Sequence, residues 1–210
     1  KDTKITGGGN LILGSESFKN AELKGNTGDG SSITYELTGG ATMANTNSNR
    51  YFRWTTVGAY VAKGVTLCLS VMYKPVSGAD EFCMEIAYTA GYSTSQSWAT
   101  IKPTDQLEIE QTDGWVLRYG LWTPPDNATL KLVDMGSGTT HAGTGNYTNK
   151  FSLLHPMLQY GNAPTAWNAS SGDYLTQESA KSLFSQTADE IKTEVTKSVT
   201  ETVTANVKDT

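Results

Sequence analysis

The chain carries few groups that could make or break a covalent bond. It has two histidines: His141 lies in the loop sequence GSGTTHAGTGNY, and His155 precedes Pro156 near the end of an apolar stretch. Neither stands in a nucleophile elbow, a zinc-type HExxH helix or a phosphate-cradling glycine loop, and no such motif occurs elsewhere in the sequence. Glu108 and Glu110 are a carboxylate pair with a suggestive spacing. On one strand face they would lie roughly 7 Å apart, a separation that suits glycoside hydrolysis. They alternate with Leu107 and Ile109, however, which is the pattern of a solvated strand face. The sequence therefore argues for a protein that is not an enzyme. Cys68 and Cys83 are too few for a disulfide scaffold and lack metal-ligand spacing, so free thiols are expected.

Recognition is the better-supplied alternative. Sugar binding relies on flat apolar rings that stack on pyranose faces beside a few oriented hydrogen-bonding groups, and aromatics make up 10% of this chain. Tyr92 and Trp98 lie in the polar stretch YTAGYSTSQSWAT, where they serve either as ligand contacts or as loop anchors. Trp115 and Tyr119 alternate with core positions and are expected inside, and Trp167 is expected to act as a packing latch. Opposite the inward residues of the central strands stand Cys68, Ser70, Met72, Cys83, Glu85, Ala87, Val116, Arg118, Gly120 and Trp122, a face too apolar for plain solvent exposure. A groove floored by its small residues and flanked by Trp122, Arg118 and Glu85 would suit a glycan; a loop or a neighbouring subunit covering it is the equal alternative. The candidate glycan-binding residues are Tyr92, Trp98, Trp122, Arg118 and Glu85.

These positions depend on strands. From Asn10 to Trp167 the apolar residues alternate, interrupted by Gly, Asn, Pro and Asp clusters. SITYELT, VTLCLSVMY, EFCMEIAY, QLEIEQ, GWVLRYGLW, TLKLVDM and FSLLHPMLQYG each read as a strand. VTLCLSVMY and EFCMEIAY read as a hairpin closed by KPVSGAD, with Leu107, Ile109, Trp115, Leu117, Tyr119 and Leu121 on the core side further on. About nine or ten strands without an intervening helix predict an antiparallel sandwich, here a jelly roll. The expected boundaries are a linker remnant at 1–9, the sandwich at 10–168, a linker at 169–175 and a helical stalk at 176–210. In the stalk Phe184, Ala188, Ile191 and Val195 form a narrow apolar stripe that calls for copies of itself. Beyond residue 196 the Val and Thr repeat fits a helix end, an intertwined β stalk or a disordered end. The net charge of -5 and the absence of a basic run argue against nucleic acid, no apolar run is long enough to span a membrane, and the start at KDTKITGGGN suggests a position inside a longer polypeptide.

The opening NLILGSESF and the closing HPMLQYGNAPTAWN, followed by a thin oligomerising segment, resemble carbohydrate-binding-module-like domains of phage and prophage tail, baseplate and tail-fibre proteins. Asn10, Leu11 and Phe18 match the opening element; Pro156, Leu158, Gly161, Thr165 and Trp167 match the closing one. The resemblance implies a virion-borne, extracellular module that binds host cell-surface or cell-wall polysaccharide, forms a homotrimer and joins other tail or baseplate proteins. A structural spacer without a ligand is the alternative function it allows. No cofactor is expected: Lys19 stands where related jelly rolls carry an acidic residue for a structural calcium, and Asp29 in NTGDG leaves that ion open.

Overall fold

The computed structural model describes residues 9–26, 28, 30–138 and 147–170. The loop that holds His141, Asp29 of NTGDG, most of the expected linkers at 1–9 and 169–175 and the whole expected stalk at 176–210 lie outside the described residues.

Alternating apolar residues condense into two antiparallel sheets that enclose one core. The first sheet runs in the order β1 (Glu22–Gly25), β4 (Arg50–Thr55), β11 (Ala128–Ser137), β7 (Phe82–Ala90) and β8 (Gln96–Ile101), and the short β5 (Tyr60–Val61) also pairs with β11. The second runs β2 (Ser32–Tyr35), β3 (Ala41–Ser48), β12 (Tyr147–Tyr160), β6 (Leu67–Gly78), β10 (Val116–Trp122) and β9 (Leu107–Glu110). Between them Leu67, Leu69, Val71 and Tyr73 of β6 join Phe82, Met84 and Ile86 of β7 in the core. Edge-to-face aromatic contacts knit the layers: Phe18 meets Phe52 at 4.9 Å and Trp54 at 5.0 Å, and Phe82 meets Phe151 at 5.6 Å.

Two expectations about strand placement are corrected. The segments read as a hairpin, β6 and β7, belong to different sheets, and the chain between them crosses from one layer to the other. Their apolar residues do both point inward. Alternation marks the buried side of a strand without naming its partner, so two strands stacked face to face carry the same signature as two strands hydrogen-bonded side by side. In β10 the faces are reversed: Val116, Arg118, Gly120 and Trp122 pair with Tyr73, Val71, Leu69 and Leu67 and share their core side, while Leu117, Tyr119 and Leu121 point outward. Gly120 explains the choice, because a Cβ there would lie 2.3 Å from Ile101 Cγ2. In β9, Leu107 and Ile109 are likewise exposed rather than buried.

The opening NLILGS makes only isolated bridges, Asn10 to Ser170 and Ile12 to Thr56, yet it ties the sandwich together through one buried side chain. Asn10 Oδ1 accepts from the backbone N–H groups of Ile12 and Leu158, each at 3.1 Å. Its Nδ2 lies within hydrogen-bonding distance of Ser15 Oγ and of the carbonyls of Pro156 and Asn168. The register of β12 against β6 shifts between Leu154 and Met157, and His155 in that bulge takes a φ of 58°. Trp167 stacks on the His155 ring at 4.5 Å and donates from Nε1 to Pro156 O, the latch expected of it. Burial lowers the pKa of His155.

Asn10→Ala should therefore cost about 3 kcal/mol, since it orphans two buried N–H groups at roughly 1–3 kcal/mol each; the denaturant midpoint reads the loss. Leu69→Asp should abolish cooperative unfolding, whereas Leu121→Asp, on the outward face of the same sheet, should shift the midpoint little. Equal damage from the two would contradict the β10 register.

Candidate functional site

Register across the first sheet gathers one residue from each of five strands into a single row: Glu22, Arg53, Asp134, Glu85 and Thr100. Their neighbours along the strands, among them Phe52, Trp54, Val133, Met135, Met84 and Ile86, fill the core, so the row occupies the opposite face. Arg53 closes a two-pronged ion pair on Asp134, with Nε to Oδ1 at 2.8 Å and Nη2 to Oδ2 at 2.6 Å. The Asp134 hydrogen bonds raise the pKa of Arg53 against the opposing effect of burial. Thr100 Oγ1 donates to Glu85 Oε1 at 3.0 Å. Asp134 and Glu85 are fully buried and stand directly opposite one another on β11 and β7.

Two rings flank this polar row. The Arg53 guanidinium lies 5.5 Å from the Tyr51 ring centroid and 5.2 Å from that of Trp98. β4 and β8 are three strand spacings apart, about 14 Å, so the Arg53 and Trp98 side chains reach toward each other over β11 and β7. Small residues make that reach feasible. Ala87 is the cross-strand partner of Trp98, and a Cβ on Gly136 would lie 2.7 Å from that of Tyr51. At the sheet edge Glu22 pairs with Lys24. Tyr51, Asp134 and Glu85 are buried, and Arg53, Trp98 and Thr100 are partly exposed; an aromatic ring beside a guanidinium and a hydroxyl can hold a polyhydroxylated ring by stacking and hydrogen bonding.

The sequence-predicted residues divide. Glu85 and Trp98 belong to this face. Tyr92 sits fully exposed in the turn between β7 and β8. Trp122 lies on the core side of the other sheet, its ring 4.6 Å from that of Tyr88. Arg118 is also on that side, buried over the Tyr73 ring at 3.9 Å. It binds Asp80 through Nη1 and Nη2 at 2.7 and 2.5 Å, and Glu108 through Nε at 2.6 Å. The groove drawn between Trp122, Arg118 and Glu85 thus does not form, because β6 and β10 lie in one layer and β7 in the other. Glu108 and Glu110 are both exposed, as a solvated face requires, and Glu108 in addition accepts from Arg118. Cys68 and Cys83 are free and buried in separate sheets, where burial pushes both thiols up to about 12. Tyr51, Arg53, Asp134 and Thr100 escaped sequence reasoning. The available signal was a charge inside an apolar strand, Arg53 in RYFRW and Asp134 in LVDMG.

No protein-family model and no curated protein matches the chain. Among solved structures it is similar to the enzymatically active domain of tailspike protein 4 of bacteriophage CBA120, with 12% identity and a TM-score of 0.44, covering 71% of this chain and 20% of that one. It is similar to the CBM22-1 and GH10 modules of endo-1,4-β-D-xylanase 10B of Clostridium thermocellum, with 13% identity and a TM-score of 0.45, covering 71% and 28%. A family 16 carbohydrate binding module-2 gives 14% identity and a TM-score of 0.42 over 71% of this chain and 99% of its own.

Arg53→Ala should destabilise the fold by about 3–5 kcal/mol, because it strands the buried Asp134 carboxylate without its cation; chemical denaturation measures this. Asp80 gives the pH dependence. Burial alone would raise its pKa, but the Arg118 hydrogen bonds and charge outweigh burial and hold it below the ordinary value. Its ionised form therefore stabilises the fold at neutral pH, and that contribution disappears as the pH falls below the usual carboxylate range near 4. Asp80→Asn should be less stable than the parent protein at pH 7, with the gap closing toward pH 2 to 3. A gap independent of pH would show that the Asp80 charge contributes nothing.

Proposed function

We propose that the row-bearing face of the first sheet is a non-catalytic binding site for a bacterial cell-surface glycan. The observation that carries this reading is the part-exposed Trp98 ring set 5.2 Å from the part-exposed Arg53 guanidinium, over a row of polar residues. Trp98 stacks against a sugar face and Arg53 donates to ring hydroxyls, while the buried Asp134 and Tyr51 hold the guanidinium in place and Thr100, its proton given to Glu85, offers its oxygen as an acceptor. The ion pair is set before ligand arrives, so little side-chain freedom is lost on binding.

The module serves host adhesion on a phage tail or baseplate, in the virion and outside the cell. This placement rests on the resemblance of the opening and closing elements, whose matched residues interlock: Asn10 bonds both Pro156 O and Leu158 N–H, and Thr165 donates to Gln159 at 2.7 Å. Residues from 176 onward gather three copies, and sharing weak sites on one axis raises avidity through effective concentration.

Binding per site should be weak, with Kd of roughly 0.1 to 1 mM, about 4 to 5.5 kcal/mol. Titration of Trp98→Ala against a panel of cell-wall polysaccharides should show at least a tenfold loss with an unchanged melting midpoint. Undiminished binding would remove the proposed face, and steady release of reducing ends would remove the non-catalytic assignment. Analytical ultracentrifugation of the full chain should give three times 22.6 kDa; a monomer at tens of micromolar would refute the trimer.

A further inference from the structure

The second sheet ends on β9, and that edge has features the glycan-binding face does not use. Gln111 N–H donates to Trp115 O at 3.0 Å, and the register then runs through Glu110 with Val116, Ile109 with Leu117, Glu108 with Arg118 and Leu107 with Tyr119. In an antiparallel ladder the bonded pairs alternate. Ile109 and Leu107 therefore turn their backbone groups toward β10, and Glu108 and Glu110 turn theirs to the open side. Sheet edges in this state accept another strand unless something blocks them. β9 carries neither proline nor lysine; its four residues and its glutamates restrict pairing to a short segment of complementary charge.

Side chains specify what kind of strand would fit. On the outer face Leu107 and Ile109 are 52% and 43% exposed and continue an apolar strip with Leu117, Tyr119 and Leu121 of β10. On the other face stand Glu110 and Glu108, the latter already paired with Arg118. From residue 103 to 113 the sequence PTDQLEIEQTD holds four carboxylates and no Lys or Arg. An added strand places its alternate residues opposite these two rows, one row apolar and one acidic. A second copy of β9 would set glutamate against glutamate. We infer that β9 is a docking edge for an extended segment of another protein in which apolar and basic residues alternate, bound by strand addition.

A fluorescein-labelled nonapeptide of alternating valine and lysine, titrated with the full chain and followed by anisotropy, tests this. The parent protein should bind it and should not bind the valine–glutamate counterpart. Glu110→Pro removes an outward N–H that the sandwich does not use, and proline is tolerated at such an edge position. That variant should lose at least tenfold in affinity with an unchanged melting midpoint. Glu110→Gln keeps the N–H and discards only the charge, so it should lose a few-fold. Three results would each overturn the inference: equal affinities for the Pro and Gln variants, absence of binding by the parent protein, or a parent dimer that Glu110→Pro dissolves, which would assign the edge to a second copy.

Discussion

The sandwich depends on how Asn10 is satisfied. One amide side chain, almost wholly removed from solvent, bonds the backbone at Ile12, Pro156, Leu158 and Asn168. Those four points belong to the start of the domain, the bulge in its longest strand and the segment that closes it. Ladder hydrogen bonds fail at a bulge, so its buried backbone groups need another partner. Asn10 supplies both an acceptor and donors where β12 has lost its own. Ile12 and Phe18 follow it into the core, and the first turn of chain is fixed to the last without a regular strand.

Electrostatics on the first sheet follow a different logic. Asp134 and Glu85 sit opposite one another with both carboxylates buried, an arrangement that repels unless counter-charge and donors are supplied. Arg53 provides the charge and Thr100 a donor. An apolar pair at these positions would be cheaper for folding alone. The same pairing holds Arg53 between Tyr51 and Trp98, which gives the two rings a fixed separation before any ligand arrives.

The Arg118 cluster does the opposite work on the second sheet. Its three charged groups come from β10, β9 and the chain that crosses between layers, and Arg118 covers the Tyr73 ring at the margin of the core. Here charge fastens the crossover and the edge strand to the sandwich, and leaves no groove. The two sheets thus differ on their outer faces: a row of paired charges on one, and an apolar strip beside an open edge on the other.

What the sequence determined by itself was local. Period-two alternation identified the β class and the buried residues of β6 and β7, the cysteines read correctly as free, and the motif residues Asn10, Pro156, Leu158, Thr165 and Trp167 marked the places where the ends of the domain meet. Glu85 was also legible as a member of a non-core face, whereas Trp98, read as a loop residue, lies in β8. Tertiary structure alone decided which strands share a sheet, and hence that Arg118 and Trp122 are separated from Glu85 while Arg53, Asp134 and Tyr51 join it. The reason is physical: alternation records only that one side of a strand meets apolar matter, and that matter is as well supplied by a facing layer as by a neighbouring strand. In β10 both sides are apolar, so the parity itself was ambiguous. It was settled by Gly120, where the Ile101 side chain leaves no room for a Cβ, and by Arg118, whose counter-charges come from the neighbouring β9 and from Asp80 in the chain that crosses between the layers.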